Sequence, residues 1–275
     1  MSKTINEHYV PCCYLWNFSF RKNNKSLQNS PIHVFDTAIN KHFIRAVHDV
    51  SSDYGFYDVP DLDDKSQVLE ELFSNIEGEY ATLLNALIDG VRTSSISCLG
   101  KKEKTSFAAH FAIQYVRTLA YRNFLSCLVE QIKTIIPKSS IDYDHITSEN
   151  YIRSLHNGQL LDIETANDFA NVFEGKKWII NLNKTNHPFI TSDNPVCVIN
   201  CGGSIGLCSP DCIIAIPICP DVLVVMVDNH FPVQDRKVVE MCDVKIVDYW
   251  NKQQQKNCSR CLFSSSDDFS FVHSE

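Results

Sequence analysis

Glycine and proline are scarce: 9 and 10 among 275 residues. That excludes a collagen-like repeat or a long flexible linker. There is no Gly-x-Gly-x-x-Gly, no Gly-rich phosphate loop ending in Gly-Lys-Ser/Thr, no His-Glu-x-x-His and no Gly-x-Ser-x-Gly. The motif-bearing dinucleotide, nucleotide, zinc-peptidase and serine-hydrolase sites are therefore absent. No Asp followed by Glu-x-Lys in successive strands suggests a metal-dependent nuclease core. Positive charge is also in short supply, with 25 Lys and Arg against 33 Asp and Glu and a net charge of -8. A general nucleic-acid binder is expected to be basic, because phosphate contacts need cations. The clusters Arg21-Lys22 with Lys25 and Lys101-Lys102 with Lys104 read as solvated surface, which leaves room for a local phosphate pocket. The longest apolar run, Ile213 to Val227, is broken by Pro217, Cys219, Pro220 and Asp221, and is too interrupted to span a bilayer. The opening residues contain no apolar signal-peptide core. The expected location is the cytoplasm, with no membrane partner.

What is present reads as an ordinary globular protein, 44% hydrophobic and 21% charged. The length suits one α+β domain over 1–275, with an N-terminal hairpin and helical part to about 175 and a β-rich part from about 176. The 12 cysteines are expected to be buried thiols in a reducing compartment. Cys258-Ser-Arg-Cys261 has metal-ligand spacing, but a zinc site needs a second paired knuckle, and Cys201, Cys208, Cys212 and Cys219 form only a loose cluster. No cofactor is expected, and no motif supports a divalent metal.

Along the chain, Pro11 suits the first turn of a short helix reaching about Asn17, followed by a polar loop over 19–31. Ile32–Ala38 and Lys41–Val50 read as a hairpin. Asp61 to Ser66 is an acidic break with helix-start character. Leu69, Leu72, Phe73, Ile76, Tyr80, Leu83, Leu84 and Leu87 keep helical spacing over 66–90, with Gly90 as the expected stop. A second long helix is expected over 103–136, and shorter ones over 147–157 and 163–173. Strands are expected at 177–183, 189–190, 196–199, 213–218 and 221–227, then a closing helix over 234–258 and a short strand at 260–264. This order implies a central layer of long helices packed on a mixed or antiparallel sheet, formed by the hairpin and the C-terminal half.

Three features could carry chemistry. In the helix expected over 105–121, His110, Gln114, Arg117 and Tyr121 fall at i, i+4, i+7 and i+11, within roughly 60° of arc. On a mostly apolar helix this stripe is either a structural network, with Glu77 as the partner of Arg117, or the wall of a pocket. Thr191-Ser192-Asp193-Asn194-Pro195 follows a strand-like stretch and is either a tight turn or an exposed strand-end site. His8-Tyr9-Val10-Pro11 places a histidine beside an apolar segment that would pin it to the core. Cys12-Cys13 sits among apolar residues, which favours inert thiols over a nucleophile.

Together these residues resemble the bacterial family called domain of unknown function 4238. The matching positions are His8 to Pro11, Tyr14, Leu15 and Phe18, then Val34-Phe35-Asp36, Gly55-Phe56-Tyr57, Gln114 with Arg117 and Thr118, Phe189 to Val196, and Pro217 to Pro220. Order and spacing hold from about His8 to Ser266. Cys12-Cys13, Phe35 and Gly55 depart from the family pattern at packing positions. The resemblance implies that the polar positions belong to one site. It supplies no reaction, and suggests only accessory or effector proteins of bacterial defence and mobile elements.

The leading expectation is a hydrolase acting on a phosphodiester or nucleotide-like substrate. His8 would be the general acid/base, Asp193 would orient it or the attacking water, and Arg117 would hold an anionic oxygen. Gln114, Ser192, Asn194 and Tyr9 would bind substrate, with Glu77, His110 and Tyr121 in support. The rival expectation is a non-catalytic module that recognises a small anionic ligand, a local nucleic-acid segment or a partner protein of a defence system. A third is an interaction subunit of a larger assembly.

Overall fold

The structure is a computed structural model that describes residues 6–22, 26–58, 66–93, 99–137, 142–200 and 206–273. The acidic stretch at 61–65, Lys25 and Cys201 lie outside the described residues. The N-terminal segment Asn6–His8 (β1) pairs antiparallel with Ser52–Tyr54 (β4), and Pro11 leads into a one-turn helix, Cys12–Leu15 (α1). Between them runs the expected hairpin, Pro31–Asp36 (β2) against Lys41–Ala46 (β3). Its turn is closed by Asp36, whose carboxylate accepts from the Ala38 and Ile39 N–H groups, and by Asn40 at φ 53°, a conformation Asn tolerates.

The helices follow. Ser66–Arg92 (α2) runs through Gly90, not up to it, and ends where Arg92 reaches the Asp221 carboxylate at 2.6 and 2.7 Å. The helix expected over 103–136 is two helices, Lys101–Val116 (α3) and Leu119–Ile135 (α4). Thr118 makes the break. Its backbone is extended (ψ 158°) and its hydroxyl accepts from the Tyr121 N–H, capping the second helix. Tyr143–Ile146 (α5), capped by Asp142, was not expected, whereas Glu149–Leu161 (α6) and Ile163–Gly175 (α7) were.

The later strands are Lys177–Asn183 (β5), Thr191–Ser192 (β6), Cys197–Asn200 (β7), Cys212–Cys219 (β8) and Val222–Val227 (β9). The helix expected over 234–258 divides into a strand, Lys237–Met241 (β10), and a helix, Val244–Asn257 (α8). The Asp243 side chain caps α8 by accepting from Lys245 N–H, so helix cannot extend further back. Cys261–Ser264 (β11) is the last strand.

The fold is α+β, but among the described residues the strands form three sheets where one was expected. A five-stranded sheet has the order β10-β5-β9-β8-β7, with β10 parallel to β5 and the other pairs antiparallel. The N-terminal hairpin belongs to a separate four-stranded sheet, β3-β2-β11-β6. It is diverted there because β11 pairs with β2 on one side and β6 on the other. The larger sheet is covered on both faces. Alternate residues Trp178, Ile180, Val224 and Met226 join the core that also contains Tyr80 and Leu84 of α2 and Phe107 and Phe111 of α3. Their neighbours Leu223, Val225 and Val227 pack with Val247 and Trp250 of α8. Phe111 stacks on Trp178 at 5.5 Å, which seats α3 on the sheet and fixes where its C-terminal end points.

Candidate functional site

The end of α3 clamps the N-terminal backbone. That segment is buried and extended, so its carbonyls need partners beyond β4. The His8 carbonyl accepts from Arg117 Nη2 at 2.5 Å and from the Tyr57 hydroxyl at 3.2 Å. The Tyr9 carbonyl accepts from Gln114 Nε2 at 3.3 Å. Glu7, fully buried, accepts the Tyr57 N–H at 2.6 Å. Arg117 is 2% exposed, lies over the Phe73 ring at 4.0 Å and pairs with Glu77 at 3.0 Å. Burial works against its charge, yet Tyr57 and Glu77 beside it hold the guanidinium above the ordinary arginine range.

An open cleft of about 360 Å³ lies against this clamp, lined by His8, His48, Glu70, Ser74, Glu77 and Arg117 among others. His8 Nε2 meets the His48 carbonyl at 3.0 Å. A carbonyl only accepts, so Nε2 carries the proton of the neutral ring and Nδ1 keeps a lone pair. Burial, aided by Arg117, lowers the His8 pKa below its usual value despite the His48 carbonyl and Glu77. Glu70, two helical turns before Glu77 on α2, shifts the other way. Burial raises it, and Glu77 adds to the rise against the pull of Arg117. One cleft thus holds a histidine biased toward the neutral base and a carboxyl biased toward the neutral acid.

Not all of the expected site residues meet there. His110 stacks on Tyr80 at 4.7 Å and lines a second, smaller cavity, and burial lowers its pKa. Tyr121 leaves the stripe because the helix breaks at Thr118, and its hydroxyl donates to Gln159 at 2.8 Å. The Thr-Ser-Asp-Asn loop does not line the cleft. Ser192 donates to Gln254 at 2.8 Å, and Asn194 donates to the Asn257 carbonyl at 2.9 Å. Asp193, 2% exposed, accepts the N–H groups of Ser259, Arg260 and Cys261 at 2.8, 2.7 and 2.9 Å. Burial raises its carboxyl against the pull of those three donors. Tyr9 bridges the two regions: its carbonyl serves Gln114, while burial and the Asp193 charge push its phenol upward.

Arg117 also departs from the expectation of an anion clamp. One N–H of Nη1 goes to Glu77 and one of Nη2 to the His8 carbonyl, so the guanidinium positions the segment that carries the base. Glu70 and His48 were missed. Glu70 had a faint signal, lying seven residues before Glu77 on one helical face, while His48 had none. Cys12 and Cys13 are pushed up to about 12, chiefly by burial, so both are thiols at neutral pH and weak nucleophiles. Among the described residues, no group of three or more His, Cys, Asp or Glu side chains is placed to hold a metal ion. Nor is any helix among them long and apolar enough to cross a membrane.

The family model for a protein of unknown function, DUF4238, matches residues 6–268. The chain belongs to this family. No curated protein and no solved structure matches it. In this DUF4238 chain the match covers the N-terminal clamp, the cleft and the Asp193 loop alike.

Proposed function

We propose that the protein is a hydrolase in which His8 and Glu70 act as base and acid on a phosphodiester or nucleotide-like substrate. The observation that carries this reading is the meeting of His8, with one ring nitrogen committed and the other left basic, and a half-buried Glu70 in one open cleft. Water attacks phosphorus while His8 Nδ1 takes its proton. The leaving oxygen takes the proton of Glu70 as its bond to phosphorus breaks, and proton exchange with solvent then restores both groups. With Glu70 protonated, the Glu77 and Arg117 charges offset one another, so a singly charged phosphodiester is not repelled by the lining. Arg117 supports the base through the His8 backbone. An effector role in bacterial defence or a mobile element belongs to the same proposal.

The test is turnover of RNA, single-stranded DNA and a chromogenic phosphodiester by purified protein. His8→Ala and Glu70→Gln should each lower the rate by about 10²–10⁴-fold while melting like wild type. Wild type that turns over none of the three ends the hydrolase reading. Expression in bacteria should be toxic for wild type and harmless for His8→Ala.

A second reading, a non-catalytic module for a small anionic ligand or a partner protein, draws support from Arg117 and Asp193. The residues best suited to grip a substrate are both bonded to the protein itself. Saturable ligand binding that survives His8→Ala without turnover would favour it.

A further inference from the structure

A second, smaller cavity of about 10 Å³ shares Arg117 and Glu77 with the cleft and is lined also by Tyr80, His110 and Gln114. Tyr80, Gln114 and Arg117 are 2%, 1% and 2% exposed. Each has one polar atom with no hydrogen-bond partner among the described residues: Tyr80 Oη, Gln114 Oε1 and Arg117 Nε. Buried polar atoms without partners are rare and costly, and three on residues that line one cavity call for a common partner.

The size and chemistry of the void select that partner. One water molecule needs about 10–15 Å³ of such space, and buried waters typically make about three hydrogen bonds. Arg117 Nε can only donate, Gln114 Oε1 can only accept, and the Tyr80 hydroxyl can do either. The Gln114 amide cannot be turned around at no cost, because its Nε2 already donates to the Tyr9 carbonyl. An anion would face Gln114 Oε1 and the Glu77 carboxylate, and a cation would face the guanidinium. A neutral molecule with both donor and acceptor capacity fits.

The geometry points to one resident water that accepts from Arg117 Nε, donates to Gln114 Oε1 and completes its shell with the Tyr80 hydroxyl. It gives the guanidinium a third anchor. Glu77 takes one N–H of Nη1, the His8 carbonyl takes one of Nη2, and the water takes the Nε–H. Glu77 and Arg117 line both the void and the cleft, so the water helps set the plane of the group that fixes the His8 backbone. It also assigns a role to Gln114 that the cleft does not use. The inference rests on burial and donor count alone and stands whether or not the cleft hydrolyses anything.

A crystal structure of the full chain at about 1.5 Å or better should show a single density peak within hydrogen-bond distance of all three atoms. Oxygen-17 relaxation dispersion, which counts long-lived internal waters, should find one fewer in the Tyr80→Phe/Gln114→Leu double variant than in wild type. In nitrogen-15 spectra the Arg117 Nε–H resonance should be protected from exchange in wild type and shifted in Tyr80→Phe. Tyr80→Phe removes one hydroxyl only, so it carries the test if the double variant fails to fold. An empty void in wild type overturns the inference. So does Arg117 Nε bonded directly to a protein acceptor, or an equal count of internal waters in a folded double variant.

Discussion

Asp193→Ala separates a catalytic from a structural carboxylate. Asp193 takes three backbone N–H bonds from one stretch, Ser259 on Oδ1 and Arg260 and Cys261 on Oδ2. Removing it strands three donors in a part-buried setting, where bonds to a charged group are worth about 1.5–3 kcal/mol each. The losses are not independent, so a total of about 3–5 kcal/mol is the working figure. For a chain of this size that lowers the melting temperature by about 6–15 °C. Asp193→Asn should be milder, because a carbonyl oxygen in the Oδ2 place keeps two of the bonds and only the Ser259 contact becomes donor against donor. The assay is thermal melting followed by circular dichroism, for wild type, Asp193→Asn and Asp193→Ala, with turnover measured alongside. The order of stability should follow the number of bonds retained. Asp193→Ala melting within about 3 °C of wild type would refute the structural account, and loss of turnover in that stable variant would make the residue catalytic.

Other expectations concern pH and the helix ends. Fully buried His156 donates from Nε2 to the Val116 carbonyl and accepts from Arg122 at Nδ1, and burial, with Arg122, depresses its pKa to about 3. The unfolded chain takes up a proton near pH 6.5 that the folded chain refuses, so stability is lost as pH falls below 6.5, by about 1.4 kcal/mol per unit down to the folded value. Denaturant titrations between pH 4 and about 6 should show this slope reduced in His156→Gln, which keeps one donor and one acceptor. The hydrolysis rate should peak on the acid side of neutrality. His8 must be neutral and its pKa lies below 6.5, while Glu70 must be protonated and its pKa lies above 4.5. A rate still climbing at pH 8 would disprove the pairing. Arg117→Met leaves Glu77 without its cation and the His8 carbonyl with only the Tyr57 hydroxyl, and a loss of about 3 kcal/mol by denaturant titration is expected. Thr118→Ala removes the cap of α4 and should cost about 1 kcal/mol by the same measurement.

What the sequence revealed was what is periodic or local. The apolar spacing of α2, the β-branched run of β9 and the hairpin of β2 and β3 follow from neighbours within a few residues. The break at Thr118 was hidden because Val116-Arg-Thr-Leu119 contains neither Gly nor Pro, and a lone Thr is tolerated within helices. β10 was hidden because Lys-Val-Val-Glu-Met suits an exposed helical turn equally well until β5 is there to pair with it. The polar residues were found but grouped too generously. Gln114, Arg117 and His8 do meet, because one helix end faces one backbone segment. Asp193 was assigned to them by its chemistry, whereas its partners lie 66 to 68 residues further along and no local pattern announces them. Glu70 and His48 reach the cleft through tertiary packing alone.

The placement of β11 has a consequence for how the chain comes into being. In the four-stranded sheet β2 and β6 do not pair with one another, and they are joined only through Cys261–Ser264. The same stretch presents one of the three N–H groups that Asp193 needs, at Cys261, and Ser259 and Arg260 just before it present the other two. During synthesis, then, the hairpin and the Asp193 loop emerge long before the segment that joins them. Until residue 264 has left the ribosome, both wait with open strand edges and an unanswered carboxylate. Such edges are where chains pair with the wrong neighbour, so a chaperone has its longest task here, and a premature stop before residue 259 leaves a product that cannot close.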